Sequence, residues 1–203
     1  MSDVGGLLAD AVAAVGYAVP GGQLAGDLRR YKAEGVPAAA ARAAAARLRA
    51  ALQAFLAEHG PGLWRAAGMP RGPAAAAVVP SGQGRPGRHP LASLVLAGTG
   101  LPLVGVAVRP AQVHVRGVNP AWARVDAPVA GADLLVVDDT WVSGGSAQSV
   151  AAALKRSGAR RVAIVVLGRQ VNPADPRSAK FLAGLSPSGV PPRHEGETIT
   201  TAS

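Results

Sequence analysis

One stretch of the chain carries residue types that suit a phosphorylated sugar. It begins with the apolar run Leu134–Val137, continues with Asp138 and Asp139, and passes through a loop rich in Gly, Ser and Thr into a helical pattern. In an open α/β sheet, ligands bind at the carboxyl ends of strands, and a helix N-terminus offers unpaired N–H groups to a phosphate. Adjacent carboxylates accept hydrogen bonds only, which suits sugar hydroxyls or a hydrated metal ion. A phosphate beside vicinal hydroxyls describes a ribose 5-phosphate.

The loop after the two acids supplies the groups expected to hold the phosphate. Thr140, Ser143 and Ser146 carry hydroxyls, while Gly144 and Gly145 lack a Cβ and let the backbone approach a ligand oxygen closely. The alternative is that the acids cap a turn and the glycines merely allow it. A hydrophobic strand, paired acids and a Gly/Ser-rich helix entry together favour ligand binding. The Walker lysine pattern does not occur in the sequence, which argues against an NTPase.

A second loop, Pro80–Pro90, follows the apolar run Ala76–Val79 and is expected at the same edge of the sheet. The guanidinium groups of Arg85 and Arg88 would fork onto pyrophosphate oxygens, and His89 would donate to a phosphate. Taken alone, this sequence is more typical of an ordinary flexible Arg/Gly/Pro loop.

A third segment, Arg109–Arg124, joins two predicted strands and is longer than most compact connections. It would either cover the site or form an exposed hairpin. The residues in it that suit an anionic ligand are Arg109, Gln112, His114, Arg116 and Asn119.

Strands and helices alternate around these loops. The apolar runs predicted as buried strands are Ala76–Val79, Leu103–Val108, Leu134–Val137 and Val162–Leu167. The segments predicted as helices are Gly5–Val15, Leu24–Lys32, Pro37–Glu58, a short one after Leu91, and Ser146–Ser157, with a strand or turn at Gly16–Gly22. Gly60, Pro61 and Gly62 are expected to end the longest helix. Strand, loop, helix and strand from Leu134 to Leu167 form a βαβ unit, so we predict an α/β fold with a mostly parallel sheet flanked by helices.

Composition narrows the class of protein. The 203 residues suffice for one domain, and the absence of cysteine excludes a disulfide framework, a thiolate zinc site and an iron–sulfur cluster. The four histidines lie far apart, without the spacing of metal ligands. The formal charge of +9 favours an anionic partner. The few aromatic residues are not interleaved with the basic ones, which argues against a single-stranded nucleic-acid site.

The sequence predicts a cytoplasmic protein. The uncharged run Leu91–Val108 is about long enough to cross a bilayer, but glycines and a proline interrupt it. Asp3 and Asp10 stand where a signal peptide would carry positive charge. Residues 184–203 have no apolar period, so we expect a disordered tail there.

With these motifs, the chain resembles the type I phosphoribosyltransferases, and most closely their competence-protein-F-type (ComF-like) members. The specific match is the Asp-Asp loop, followed after its helix by Gly158-Ala159-x-x-Val162. The supporting patches are Tyr17-x-x-x-Gly21-Gly22 with Tyr31-Lys32, Val79-Pro80 before an Arg-rich loop, and Arg116-x-x-Asn119-x-x-Trp122. The resemblance runs from Tyr17 to Leu167. It implies one domain over residues 1–183, with a helical hood part (1–62, and connecting segments) and a core sheet (74–168).

The resemblance implies transfer of ribose 5-phosphate from 5-phosphoribosyl 1-pyrophosphate (PRPP) to a nitrogen nucleophile, with release of pyrophosphate. Asp138 and Asp139 would hold the ribose hydroxyls. The 5-phosphate would bind to Thr140, Trp141, Val142, Ser143, Gly144, Gly145 and Ser146. The pyrophosphate would bind to Ser81, Gly82, Arg85 and Arg88. Mg²⁺ would be held mainly through PRPP, with Asp138 or Asp139 as a further ligand, and Arg116 and Arg109 are the candidate catalytic residues.

The chain departs from the family at two points. The cysteine module that often precedes such domains is missing, and Val142 stands where purine-salvage relatives carry an aspartate, which argues against hypoxanthine or guanine as the acceptor. The acceptor itself has no recognisable motif. The alternative hypothesis is a non-catalytic protein that binds PRPP or a nucleotide as a regulator, or as an accessory of competence and DNA uptake. A homodimer is compatible with either function.

Overall fold

Short runs of alanine and β-branched residues build the sheet. A computed structural model describes residues 5–81, 89–109 and 117–174. Its strands are β1 (Ala11–Ala14), β2 (Tyr17–Ala18), β3 (Ala75–Val78), β4 (Leu103–Val104), β5 (Val106–Val108), β6 (Ala123–Val125), β7 (Asp133–Trp141) and β8 (Arg161–Gln170). Its helices are α1 (Gln23–Arg30), α2 (Ala38–Ala66), α3 (Pro90–Thr99) and α4 (Gly145–Arg156), with a 3-10 turn at Gly5–Leu7.

In the described part of the chain, six strands form one parallel sheet. Its order is β1–β8–β7–β3–β4, and β2 also pairs with β8. β5 and β6 form a separate antiparallel pair. β7, α4 and β8 are the predicted βαβ unit with parallel strands. The predicted α/β class with a mostly parallel sheet flanked by helices is confirmed.

Hydrophobic side chains cover both faces of the sheet. Since side chains alternate along a strand, β7 contributes Leu135 and Val137 to one face and Leu134 and Val136 to the other. The first face packs against α1, α2 and α3, and the second against α4 and the β5–β6 pair. β7 therefore runs through the centre of the core, and only its carboxyl end leaves it.

A buried carboxylate fastens α1 to α2. Asp27 is almost fully buried, and it accepts two hydrogen bonds from Arg47, from Nε at 2.8 Å and from Nη2 at 2.7 Å, and one from Gln23 at 3.0 Å. The hydrogen bonds from Arg47 hold the pKa of Asp27 below its usual value, against the opposing effect of burial. The pair sets the position of the C-terminal end of α1, where Tyr31 and Lys32 follow.

The predicted helix Gly5–Val15 is wrong. Only Gly5–Leu7 is helical, and Ala11–Ala14 form the edge strand β1 beside β8. Asp10 fixes this strand, because its carboxylate accepts from the backbone N–H of Val162 at 2.8 Å and pairs with Arg161 and Lys155. A short Ala/Val run has no period that separates a helix from a strand, so the tertiary pairing decides.

Two further boundaries differ from the prediction. Helix α2 does not end at Gly60–Gly62 but continues through Pro61 to Ala66, where burial of Leu63 offsets the cost of the proline. The predicted strand Leu103–Val108 is divided at Gly105 between β4, in the main sheet, and β5. The remaining predicted helices lie within a few residues of α1, α3 and α4.

Within the described ranges, no helix is long and apolar enough to cross a membrane.

The proline inside α2 leads to a stability prediction. Pro61→Ala should raise the free energy of unfolding by about 1–3 kcal/mol, since alanine restores an N–H donor and removes the clash of the proline ring with the carbonyl of Ala57. The stiffer unfolded chain of the proline protein offsets part of this gain. Urea denaturation measures the difference, and an equal or lower stability of the variant would contradict the prediction.

Candidate functional site

The candidate site lies at the carboxyl edge of the parallel sheet, where four pieces of chain meet. β7 ends in Asp138–Trp141, and β3, its neighbour, is followed by Ser81. A loop of three residues separates β7 from helix α4, and the Tyr31-Lys32 pair at the end of α1 contacts β7. The two acids stand at a strand end next to a helix N-terminus, as the sequence indicated.

Strand β7 is longer than predicted. Its pairing with β8 continues through Thr140 and Trp141, opposite Gly168 and Arg169. The acids and Thr140 therefore belong to the strand, and the loop proper is only 142–144. The hydrogen bonds of the sheet hold the backbone of the acid pair, which makes it a rigid part of the site.

Asp139 is engaged in contacts within the protein. It is 7% exposed, and its Oδ2 accepts from the hydroxyl of Tyr31 at 2.5 Å and from Nζ of Lys32 at 2.5 Å. Tyr31 is itself buried, and burial, followed by the negative charge of Asp139, raises its pKa far above the usual value, so the hydroxyl stays a donor. The resemblance implied that both acids hold the ribose hydroxyls, and of the two Asp139 also forms an ion pair with Lys32.

Asp138 lies in a different environment from its neighbour. It is partly buried, and its Oδ1 accepts from the backbone N–H of Asp139 at 2.8 Å. Burial first, and the charge of Asp139 second, raise the pKa of Asp138 to about 7. Near neutral pH this carboxyl exchanges readily between its neutral and charged forms, so a ligand that donates hydroxyls to it would favour the charged form.

The start of α4 combines a glycine N-cap with nearby hydroxyl side chains. Its N-cap is Gly144, with φ of 77°, which has no side-chain oxygen to accept from the N–H groups of the first turn. Ser143, just before it, is exposed, and its Oγ accepts from the N–H of Gly145 at 3.5 Å, while Thr140 and Ser146 are partly buried. Backbone N–H groups and hydroxyls therefore lie close together along the chain where β7 leads into α4. Val142 is 73% exposed at the same edge.

The two glycines allow close packing within the protein at the positions that the sequence predicted to contact a ligand. A Cβ on Gly144 would lie 2.2 Å from Cζ2 of Trp141, whose indole packs over the turn. A Cβ on Gly145 would lie 2.9 Å from the carbonyl oxygen of Gly117. Trp141 accordingly has a packing role, and the backbone that approaches Gly145 closely is that of the segment before β6.

That segment, residues 117–122, is bound to the first turn of α4. The N–H of Asn119 donates to Oγ of Ser149 at 2.8 Å, and the same hydroxyl donates to the carbonyl of Gly145 at 2.6 Å. The side chain of Asn119 accepts from Ala121 N–H, and Trp122 is buried in the core. Asn119, predicted to suit an anionic ligand, orders its own turn.

The other predicted residues divide into those described and those not. Ser81 is partly buried after β3, and Arg109 is exposed at the end of β5. His89 caps α3, since its Nδ1 accepts from Leu91 N–H at 3.2 Å. The predicted ligand-binding residues that lie outside the described ranges are Gly82, Arg85, Arg88, Gln112, His114 and Arg116.

Sequence reasoning assigned no role to Tyr31 or Lys32. Both belong to a motif of the resemblance near the start of the chain, but they contact Asp139 across 108 and 107 positions. No local pattern marks such a contact, since it depends on how α1 is placed on the sheet.

The close approach at Gly145 gives a second stability prediction. Gly145→Ala should lower the free energy of unfolding by about 1–3 kcal/mol, because the new methyl group meets the Gly117 carbonyl. Gly62→Ala is the matched control, because Gly62 also lies in a helix and no atom lies within 4 Å of its Cβ position. This substitution should raise the free energy of unfolding by about 0.5–1 kcal/mol. Urea denaturation of both variants measures the difference, and equal stabilities would contradict the packing role.

The raised pKa of Asp138 predicts pH-dependent stability. A carboxyl whose pKa rises on folding stabilises the fold fully below its unfolded pKa, near 4, and loses that contribution as the pH rises through about 7. Asp138→Asn should therefore match the wild type at pH 4 and exceed its unfolding free energy by a few kcal/mol at pH 8. The exposed Asp126→Asn serves as control. A difference that does not change between the two pH values would refute the prediction.

Comparison with known proteins finds no family model and no curated protein that matches the chain. Solved structures are similar to part of it. A phosphoribosylpyrophosphate synthetase from Mycobacterium smegmatis is 21% identical over 64% of this chain and 36% of its own, about a third of that protein, with a TM-score of 0.38. A purine phosphoribosyltransferase from Pyrococcus horikoshii is 18% identical over 62% of this chain and 81% of its own length, with a TM-score of 0.39. A hypoxanthine phosphoribosyltransferase from Staphylococcus aureus is 14% identical over 61% of this chain and 75% of its own length, with a TM-score of 0.37.

Proposed function

We propose that this protein is a type I phosphoribosyltransferase that uses PRPP and Mg²⁺. It transfers ribose 5-phosphate to a nitrogen nucleophile and releases pyrophosphate. The observation that carries the proposal is the continuous unit from Asp138 to Ser146, in which hydroxyl-accepting carboxylates stand directly beside the glycine-capped start of α4. One ligand that has a phosphate and vicinal hydroxyls, separated by a few bonds, would satisfy both halves of the unit at once.

Each half of this unit has a separate task. The acids accept hydrogen bonds from the ribose hydroxyls and fix the orientation of the sugar. The first-turn N–H groups of α4, with the hydroxyls of Thr140, Ser143 and Ser146, hold the 5-phosphate. The diphosphate then extends toward Ser81, which follows β3 and precedes Gly82, Arg85 and Arg88 in the sequence. Guanidinium groups there would offset the charge of the diphosphate.

The residues present fit Mg²⁺ as an ion carried by the substrate. Within the described ranges, no cluster of three or more His, Asp or Glu side chains forms a metal cage. Mg²⁺ commonly combines one or two carboxylates with substrate phosphates, which the acid pair and PRPP would supply. Asp138 or Asp139 would hold the ion beside the sugar, and the bound ion would neutralise charge on the diphosphate.

The reaction breaks one bond and forms another at the anomeric carbon. The C1–O bond to the diphosphate breaks, and its electron pair leaves with pyrophosphate. The lone pair of the acceptor nitrogen forms the C1–N bond, and the nitrogen then loses its proton to solvent or to the pyrophosphate. The site would stabilise the charge that develops, with Arg109 and Arg116 as candidates for the departing diphosphate.

Within the family, we assign the chain to the ComF-like members. The Tyr31-Lys32 motif near its start supports this, since it reaches the acid pair and so belongs to the site. The exposed Val142 supports an acceptor other than hypoxanthine or guanine.

Ligand binding is the first test. PRPP with Mg²⁺ should stabilise the fold by RT ln(1 + [L]/Kd), about 2.7 kcal/mol at a hundredfold excess over Kd. ATP should do less, because it lacks a ribose 5-phosphate monoester. Thermal denaturation measures both, and no shift with millimolar PRPP would overturn the proposal.

Turnover then separates an enzyme from a binding protein. Incubation with PRPP, Mg²⁺ and a panel of amines and nucleobases should release pyrophosphate with one class of acceptor only. Binding of PRPP without release for any acceptor would instead support a non-catalytic regulator or competence accessory.

A further inference from the structure

Two neighbouring side chains at the end of α1, Tyr31 and Lys32, donate to the same oxygen of Asp139, and we call this pair of contacts the grip. The Tyr31 hydroxyl and the Lys32 ammonium each lie 2.5 Å from Oδ2 of Asp139. Both donors use the same oxygen, so the plane and the rotamer of this carboxylate are set from the α1 side. Oδ1 is thereby fixed in direction, and within the described ranges no hydrogen bond to it is formed.

Other contacts already attach α1 to the rest of the protein, so the grip is not needed for that purpose. Asp27 and Arg47 already fasten α1 to α2, and the buried Leu28 packs closely against Gly168 of β8. A buried carboxylate is costly to desolvate, and replacing a buried ion pair with apolar groups is often neutral or stabilising. The docking of α1 therefore does not account for a charged group at this point of the core.

The location of the grip connects it with the ligand. The side chain of Lys32 is one-third exposed and that of Asp139 about one-tenth, and Asp139 lies near the carboxyl end of β7, at the edge of the sheet where the candidate ligand site lies. A carboxylate held by two donors cannot rotate to follow a ligand, and it accepts best from a hydroxyl at one fixed position. Such a constraint provides specificity for a hydroxyl group.

We propose that Tyr31 and Lys32 are positioning residues that hold the Asp139 carboxylate so that it selects sugar phosphates carrying a ribose hydroxyl. This inference rests on the proposed function, since it takes the ligand to be a phosphorylated ribose. Lys32 neutralises the carboxylate and Tyr31 orients it, and of these three residues only Asp139 contacts the hydroxyl. The 5-phosphate is held by α4 and does not depend on the grip.

The test compares ribose 5-phosphate with 2-deoxyribose 5-phosphate and 3-deoxyribose 5-phosphate, measured by calorimetry on the full chain. The wild type should bind ribose 5-phosphate about tenfold or more tightly than at least one deoxy sugar, because a hydroxyl hydrogen bond to a charged acceptor is lost. In Lys32→Met and in Tyr31→Phe this preference should fall to within about threefold, with the affinity for that deoxy sugar unchanged. Lys32→Arg should retain the preference.

The controls separate positioning from folding. Arg42→Met, ten residues further along the chain on the exposed face of α2, removes the same charge and should leave the preference intact. Melting temperatures show whether each variant is folded, and Lys32→Met, whose side chain is more exposed than that of Tyr31, is the variant that should retain its structure best.

Every other outcome contradicts either the inference alone or the inference together with the proposed function. If affinity falls in parallel for all three sugars, or if the preference survives in both Lys32→Met and Tyr31→Phe, the grip is structural and the inference is wrong. A wild type that binds all three sugars equally would overturn the inference while leaving the phosphate site in place. A wild type that binds none of them, nor PRPP, would overturn the proposed function and the inference with it.

Discussion

The burial of β7 between β3 and β8 is the constraint on which the candidate site depends. Leu134–Val137 are buried on both faces, so a shift of one residue in register would exchange the side chains of the two core faces. The same register continues beyond the core to Trp141. Four apolar residues therefore determine where the backbone of Asp138 and Asp139 lies, although neither acid contributes to the hydrophobic core.

Alternation along β7 makes the two acids unequal. Asp139 continues the odd-numbered side chains, which face α1 and α2, and it meets Tyr31 and Lys32 there. Asp138 continues the even-numbered side chains, which face α4. Lys32 lies near both carboxyls, and it forms its ion pair with Asp139. Burial and the neighbouring charge then raise the pKa of Asp138 to about 7, with Lys32 only a minor opposing influence.

The sequence was sufficient to predict the elements whose signal is local. The apolar runs of β7 and β8 and the helix between them follow from period and end signals, and with them the position of the acid pair before a helix. Gly5–Val15 and Pro61 were predicted wrongly because long-range pairing and burial outweigh local preference there. The Tyr31 contact was beyond prediction for a related reason, since it joins residues 108 positions apart.

Elements from both core faces contact the candidate site at the carboxyl edge of the sheet. From one face, α1, fastened by Asp27, carries Tyr31 and Lys32 to the acid pair. From the other, residues 117–122 bind to the first turn of α4 through Ser149 and lie against Gly145. The glycine that the sequence suggested for a ligand thus admits a neighbouring backbone. The carboxylate grip and the helix turn are held by separate elements, so a change in one should not move the other.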